Sequence, residues 1–342
     1  MKKTILIAIL IFTTLLAACT GGSNNTNGLS SNVPPTLMPT NVPPTEELGL
    51  TQVEESSTPG IEAGSEDNIT TRLADILGGL SYNGLFPDRQ IKLTDGYAEY
   101  QDGGSGHPFV RLIDHLIATG DLNGDGVEDA IALLVDYSTG SGDFIYLAPV
   151  LNVENEPLPL DALMIGDRSP VKSLTIDDGQ VIVELVTQGP GDPLCCPTWN
   201  VRKLLNLEGG QLVEQSSQEL SKLSLDDLNG TSWRLVDLNL DQEPVLPRTE
   251  ITLNIHDGQI NGSAGCNSYE SVVTGDEVMP QIFVVDSIDS TGKICSGPIA
   301  TQEIAYLQHL ASVKSWRYDF GYLSLIYTLE QDVFGELLFA PK

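Results

Sequence analysis

Paired turn residues cut this chain into short apolar runs, and that punctuation limits its fold more than any other feature. Asp95-Gly96, Asp178-Gly179 and Gly209-Gly210 each separate runs rich in apolar residues, and Asn229-Gly230 stands just ahead of Trp233. Such pairs supply the left-handed backbone that tight hairpin turns require. Residues 92–100 read as a hairpin through Asp95-Gly96, and strands are expected over 109–117, 130–136, 144–153, 171–176, 181–186 and 199–207, with one helical turn near Leu73 to Leu80. No strand–helix–strand rhythm accompanies them, so antiparallel pairing is expected rather than a parallel sheet.

From about Leu225 the pattern changes slightly. Strands are expected over 231–235, 250–255, 259–262, 268–274, 281–285, 323–329 and 335–339. Pro298 opens a helical stretch at the position where a missing N–H costs little. Ala300, Ile304, Leu307 and Leu310-Ala311 recur at helical spacing, as one face packing on a sheet would. The expected fold class is mainly β, α+β in the C-terminal part. Two antiparallel β domains, 68–222 and 225–342, follow an N-terminal stalk, and the second packs one helix on its sheet.

The first residues carry an address. Lys2-Lys3, an apolar run from Ile5 to Leu16 and Ala17-Ala18 form a secretory leader over 1–18. Cys19 follows directly, and Leu16-Ala17-Ala18-Cys19 resembles a bacterial lipobox, in which the cysteine takes a diacylglycerol and becomes the mature N-terminus. Residues 19–67 are rich in Ser, Thr, Asn, Gly and Pro, a composition that cannot bury enough apolar surface to order itself. As a coil that tether reaches roughly 40 Å. The expected location is extracytoplasmic. The chain would be anchored to a bacterial membrane by lipid, at the outer face of the cell membrane or at an outer membrane if there is one.

Charge removes two classes of partner. Lys and Arg number 17 against 47 Asp and Glu, a formal net charge of -30, so no basic footprint exists for nucleic acid. Polybasic docking to anionic lipid is excluded on the same ground, leaving the lipid on Cys19 as the membrane partner. An excess of carboxylates also attracts divalent cations. With 41% hydrophobic residues, the body has material for real cores.

The C-terminal part carries a specific string, Gly262-Ser263-Ala264-Gly265-Cys266-Asn267-Ser268-Tyr269. It resembles the G-x-x-G-C-N-x-Y signature of the META domain, the HslJ-like family of bacterial envelope proteins. Leu228 to Trp233, Cys295, a helix bearing Glu303 and a closing Gly335-x-x-Leu337-x-Phe339 strand stand in the expected order. The match departs at Ser271, where the family usually has glycine, and along Ser290 to Ile294. The resemblance implies a small β domain with one packed helix, associated with envelope stress and carrying no established reaction. Gly262 and Gly265 imply backbone that needs positive φ or close approach. Cys266, Asn267 and Tyr269 are expected to act structurally.

The strongest chemical signal of the first β domain is Asp121-Leu122-Asn123-Gly124-Asp125-Gly126-Val127-Glu128-Asp129. Asp121, Asn123, Asp125 and Asp129, with the Val127 carbonyl, fall at calcium-loop spacing. The residue at position 12 is Ala132, and the flanks read as strands, so the loop resembles those of FG-GAP and VCBS-type extracellular repeats in a single copy. Calcium, bound weakly at about 10⁻⁴ to 10⁻³ M, is the expected cofactor. An Asx-rich turn that holds without metal is the alternative.

Besides Cys19, four cysteines remain for an oxidising compartment: Cys195, Cys196, Cys266 and Cys295. Domain membership favours Cys266 with Cys295. A bridge between adjacent Cys195 and Cys196 would be strained, and free thiols are the alternative. His107, His115, His256 and His309 show no zinc spacing, and no nucleophile elbow or phosphate loop occurs. The expectation is therefore a non-enzymatic envelope lipoprotein that binds an envelope protein or polymer. A small-ligand carrier or sensor is the alternative, with a hydrolase of wall polymer or peptide behind it.

Overall fold

The computed structural model describes residues 66–101, 106–138, 142–193, 195–238, 245–329 and 333–342. Cys19, the leader and nearly all of the expected tether lie outside the described residues. Of the described residues 56% are in strands and 10% are helical, which makes the class mainly β. Every strand pairing is antiparallel among them.

The first half is organised around one strand, Asp129–Tyr137, whose eight leading residues are all buried. Its run Ala-Ile-Ala-Leu-Leu-Val is apolar on both faces because both faces are covered. On one side Ile131, Leu133 and Val135, with Ile145 and Leu147 of the neighbouring strand Asp143–Val153, meet a four-stranded meander. That meander runs through Val171–Asp177, Gln180–Thr187, Trp199–Glu208 and Gln211–Lys222. On the other side Ala132, Leu134 and Ala148 pack under helix α1 (Glu66–Leu77) and the two-stranded ribbon Ser81–Phe86/Arg89–Lys92. α1 replaces the single helical turn expected near Leu73 to Leu80.

Turn chemistry acted as expected at Asp178-Gly179 and Gly209-Gly210, where both residues take positive φ and join adjacent strands. Asp95-Gly96 also makes a two-residue turn closed by Thr94 and Tyr97. The expected hairpin over 92–100 does not follow, however. Arg89–Lys92 pairs back onto Ser81–Phe86, whereas Tyr97–Glu99 pairs with Phe109–Leu112.

In the second half a continuous sheet runs from Val284–Val285 through Ser268–Thr274, Gln259–Ser263, Thr252–His256, Thr231–Asp237, Val333–Pro341 and Tyr322–Leu329 to Val313–Asp319. Helix α2 (Gly297–Ala311) packs on it with Tyr306 and Leu310, both fully buried. The expected helix face needs correction: Ile304 is 67% exposed, while Gln302 and Glu303 are buried. Hydrogen bonds rather than apolarity set the rotation. Gln302 accepts from Leu246 N at 2.6 Å and donates to Thr249 Oγ1 at 3.0 Å. The Tyr306 hydroxyl meets that of Tyr269 at 2.7 Å.

The two halves share a seam. Val186 of the first and Leu223 of the connection between them join the second's core, and Phe320 packs against the first's. Gly321 N donates to Val171 O at 2.8 Å, and His115 Nε2–H donates to Phe320 O at 2.7 Å while its ring stacks on Tyr322. Lys172 reaches across to Asp227 at 3.4 Å, bonds Asn200 Oδ1 at 3.1 Å and lies over the Tyr318 ring.

Candidate functional site

The G-x-x-G-C-N-x-Y string forms a corner beside the start of α2, and each residue has a distinct job. At Gly262 an added Cβ would meet Thr252 O at 1.9 Å, so this position serves close approach of two strands. Gly265 has φ +100° and serves the turn instead. Asn267 is 7% exposed and ties the corner together. Its Oδ1 accepts from Thr291 Oγ1 and Lys293 N, both at 2.8 Å, and its Nδ2 donates to Lys293 O at 3.2 Å. Tyr269 donates to Thr252 O at 2.8 Å, and burial pushes both its hydroxyl and that of Tyr306 well above the ordinary tyrosine range.

Cys266 and Cys295 are joined as a disulfide, with Cα atoms 6.3 Å apart. Asn267 Nδ2 points at Cys295 Sγ from 3.2 Å, and Glu303 Oε2 lies 3.1 Å from the same sulfur. Among the described residues, Cys266, Cys295 and Glu303 are the group whose potential ligand atoms lie within 4.8 Å of one another.

Cys195 and Cys196 also form a disulfide, inside a loop closed by Asp192. The Asp192 carboxylate accepts from Gly189 N, Thr198 N and Thr198 Oγ1. Burial works against its charge, but those hydrogen bonds prevail and its pKa falls below the usual carboxylate range.

The acidic loop is closed by its own hydrogen bonds. Asp121 Oδ1 accepts from Gly124 N at 2.7 Å and Asp125 N at 3.2 Å, and Oδ2 accepts from Gly126 N at 2.8 Å. The Gly126 amide contributes most to holding the Asp121 carboxyl below its ordinary pKa. Asn123 and Asp125 bond each other and accept from Asp125 N and Val127 N respectively. Asp129 faces inward: it is 2% exposed, and its two oxygens accept from Leu122 N and Asn152 N. In kind these donors suit calcium, all being oxygen. In place they divide: Asp121 turns into the loop onto three amides, Asn123 and Asp125 are exposed, and Asp129 is committed to two amides beneath. Asp121, Asp125 and Asp129 are not gathered within 4.8 Å of one another.

A groove of about 580 Å³ opens beside the ribbon, at residues that no sequence motif marks. Arg89 lies between the Phe86 and Tyr100 rings, 4.3 and 4.5 Å from their centres. Tyr100 donates to Asp136 at 2.5 Å, and Tyr146 and Met164 complete the wall. Its residues come from five separate strands and the loop positions beside them, so no local string announces them. The seam residues His115 and Lys172 were equally hidden.

The corner therefore defines a disulfide-pinned, helix-capped β domain. Residues 226–334 match the META domain. An NMR structure of a protein from Burkholderia xenovorans is 18% identical, over 37% of this chain and 96% of that one, with a TM-score of 0.27. No curated protein matches the chain.

Proposed function

We propose that this chain is a non-enzymatic extracytoplasmic lipoprotein. Cys19 takes the lipid, residues 19–67 form the tether, and the body offers a binding surface to an envelope protein or polymer. The observation that carries this reading is the META domain over 226–334, a family of uncertain but envelope-associated function. The leader and the acidic composition support it, since a charge of -30 suits a tethered body held off the bilayer. In the same reading Asp121, Asn123, Asp125 and the Val127 carbonyl hold calcium weakly, with Asp129 bracing the loop from beneath.

A cell-impermeant crosslinker applied to intact cells tests the reading. Repeated capture of one envelope component, lost when the body is deleted and the tether kept, is the expected result. Capture of neighbouring lipoproteins at random would overturn it. The groove around Arg89 favours a second reading, a carrier or sensor of a small ligand. That reading predicts saturable small-molecule binding to the purified chain, with no macromolecule captured.

A further inference from the structure

The disulfide corner holds more than a cross-link needs. Glu303 is 5% exposed, on a helix face that buries it against sulfur. While Cys266 and Cys295 are joined, neither sulfur carries a proton, so the 3.1 Å approach of Glu303 Oε2 is a contact without a hydrogen bond. A carboxylate there also opposes a thiolate, because two like charges share one half-dry site. A divalent cation between them would turn that opposition into ligation. Asn267, fixed by Thr291 and Lys293, already aims an N–H at Cys295 Sγ, as outer hydrogen bonds do for metal-bound thiolates.

We propose that Cys266, Cys295 and Glu303 form a redox-gated site for a thiophilic divalent cation of the zinc class. An external dithiol reduces the bridge: its two S–H groups become a disulfide, and Cys266 and Cys295 become thiols. Zinc then displaces both thiol protons, and two thiolates, the Glu303 carboxylate and a water complete a four-coordinate set. Zinc–sulfur bonds of about 2.3 Å place the sulfurs roughly 3.8 Å apart in a tetrahedral site. Side-chain rotation supplies that separation across a Cα–Cα distance of 6.3 Å. Both cysteines are half-buried, so a reductant has access.

The test uses the full chain with Cys19, Cys195 and Cys196 replaced by serine, so that one cysteine pair remains. Cobalt(II) is added anaerobically before and after reduction with a phosphine, which does not compete as a thiolate. The oxidised chain should show no thiolate-to-cobalt band, since weak binding to carboxylates gives none. The reduced chain should bind one equivalent, with a thiolate-to-cobalt charge-transfer band that zinc abolishes. Glu303→Gln should weaken cobalt binding at least about tenfold. Should reduction loosen the fold, zinc must restore thermal stability to the reduced parent and not to Glu303→Gln. A folded, reduced chain without the band would overturn the proposal. So would Glu303→Gln binding cobalt as tightly as the parent, or a loosened chain that zinc fails to restore.

Discussion

Gly262 and Asn267 show how much one residue can settle. Both belong to a turn-rich string, yet Gly262 is required by space and Asn267 by hydrogen bonds. Gly262→Ala places a methyl against the Thr252 carbonyl, where backbone must move. It should cost about 3 kcal/mol or more, as overpacking against main chain does. Asn267→Ala leaves Lys293 N without its partner and removes the Thr291 bond, and should cost about 2–3 kcal/mol. Denaturant unfolding of each variant, with the disulfide intact, checks both values. A cost below about 0.5 kcal/mol at Asn267 would mean water replaces its bonds without loss. The string itself was legible, but which glycine served which purpose was not, because close approach depends on a strand ten residues away.

Among elements, the acidic loop carries the clearest consequences. Asp121 is held below its ordinary pKa chiefly by the Gly126 amide. A depressed folded pKa gives stability that is complete above the unfolded value of about 3.9 and lost as pH falls through the folded one. The metal-free loop should therefore keep its shape through mildly acidic pH and loosen only below the usual aspartate range. Calorimetric titration with calcium should show a weak saturable site in the full chain and none in an Asp121→Ala, Asp125→Ala double variant. Equal behaviour of the two would assign the loop to its own hydrogen bonds alone. Other elements explain what the sequence concealed. The strand Gln211–Lys222 has one buried residue, Leu212, so it lacked the alternation that marks a strand. A bulge between Val313 and Ser315 broke the alternation of Val313–Asp319 in the same way. Asp95-Gly96 made its turn, but a turn fixes φ and not the partner, and burial chose the partners from two different sheets.

For the whole molecule, the seam makes the two β halves one body. Lys172 is the linchpin to test, since its ammonium sits between Asp227, Asn200 and the Tyr318 ring. Burial, then Asp227, raises the Tyr318 hydroxyl well above the ordinary range. Lys172→Ala takes the countercharge from Asp227, which keeps its bonds from Asn200 Nδ2 and Ser224 N, and should cost about 1–2 kcal/mol. The parent chain should melt in a single transition, and the variant should melt lower or in two steps. Two separate transitions in the parent would show that the seam transmits no stability.

The claim on which the rest depends lies at Cys19, where lipid would join the chain to its membrane. Cells fed a clickable fatty acid test it directly, with the mature chain isolated and compared with Cys19→Ser. The account predicts strong label on the parent, loss of label and of membrane association in Cys19→Ser, and cleavage of residues 1–18 in the parent. Unlabelled protein in the cytosol, with its leader still attached, would contradict it.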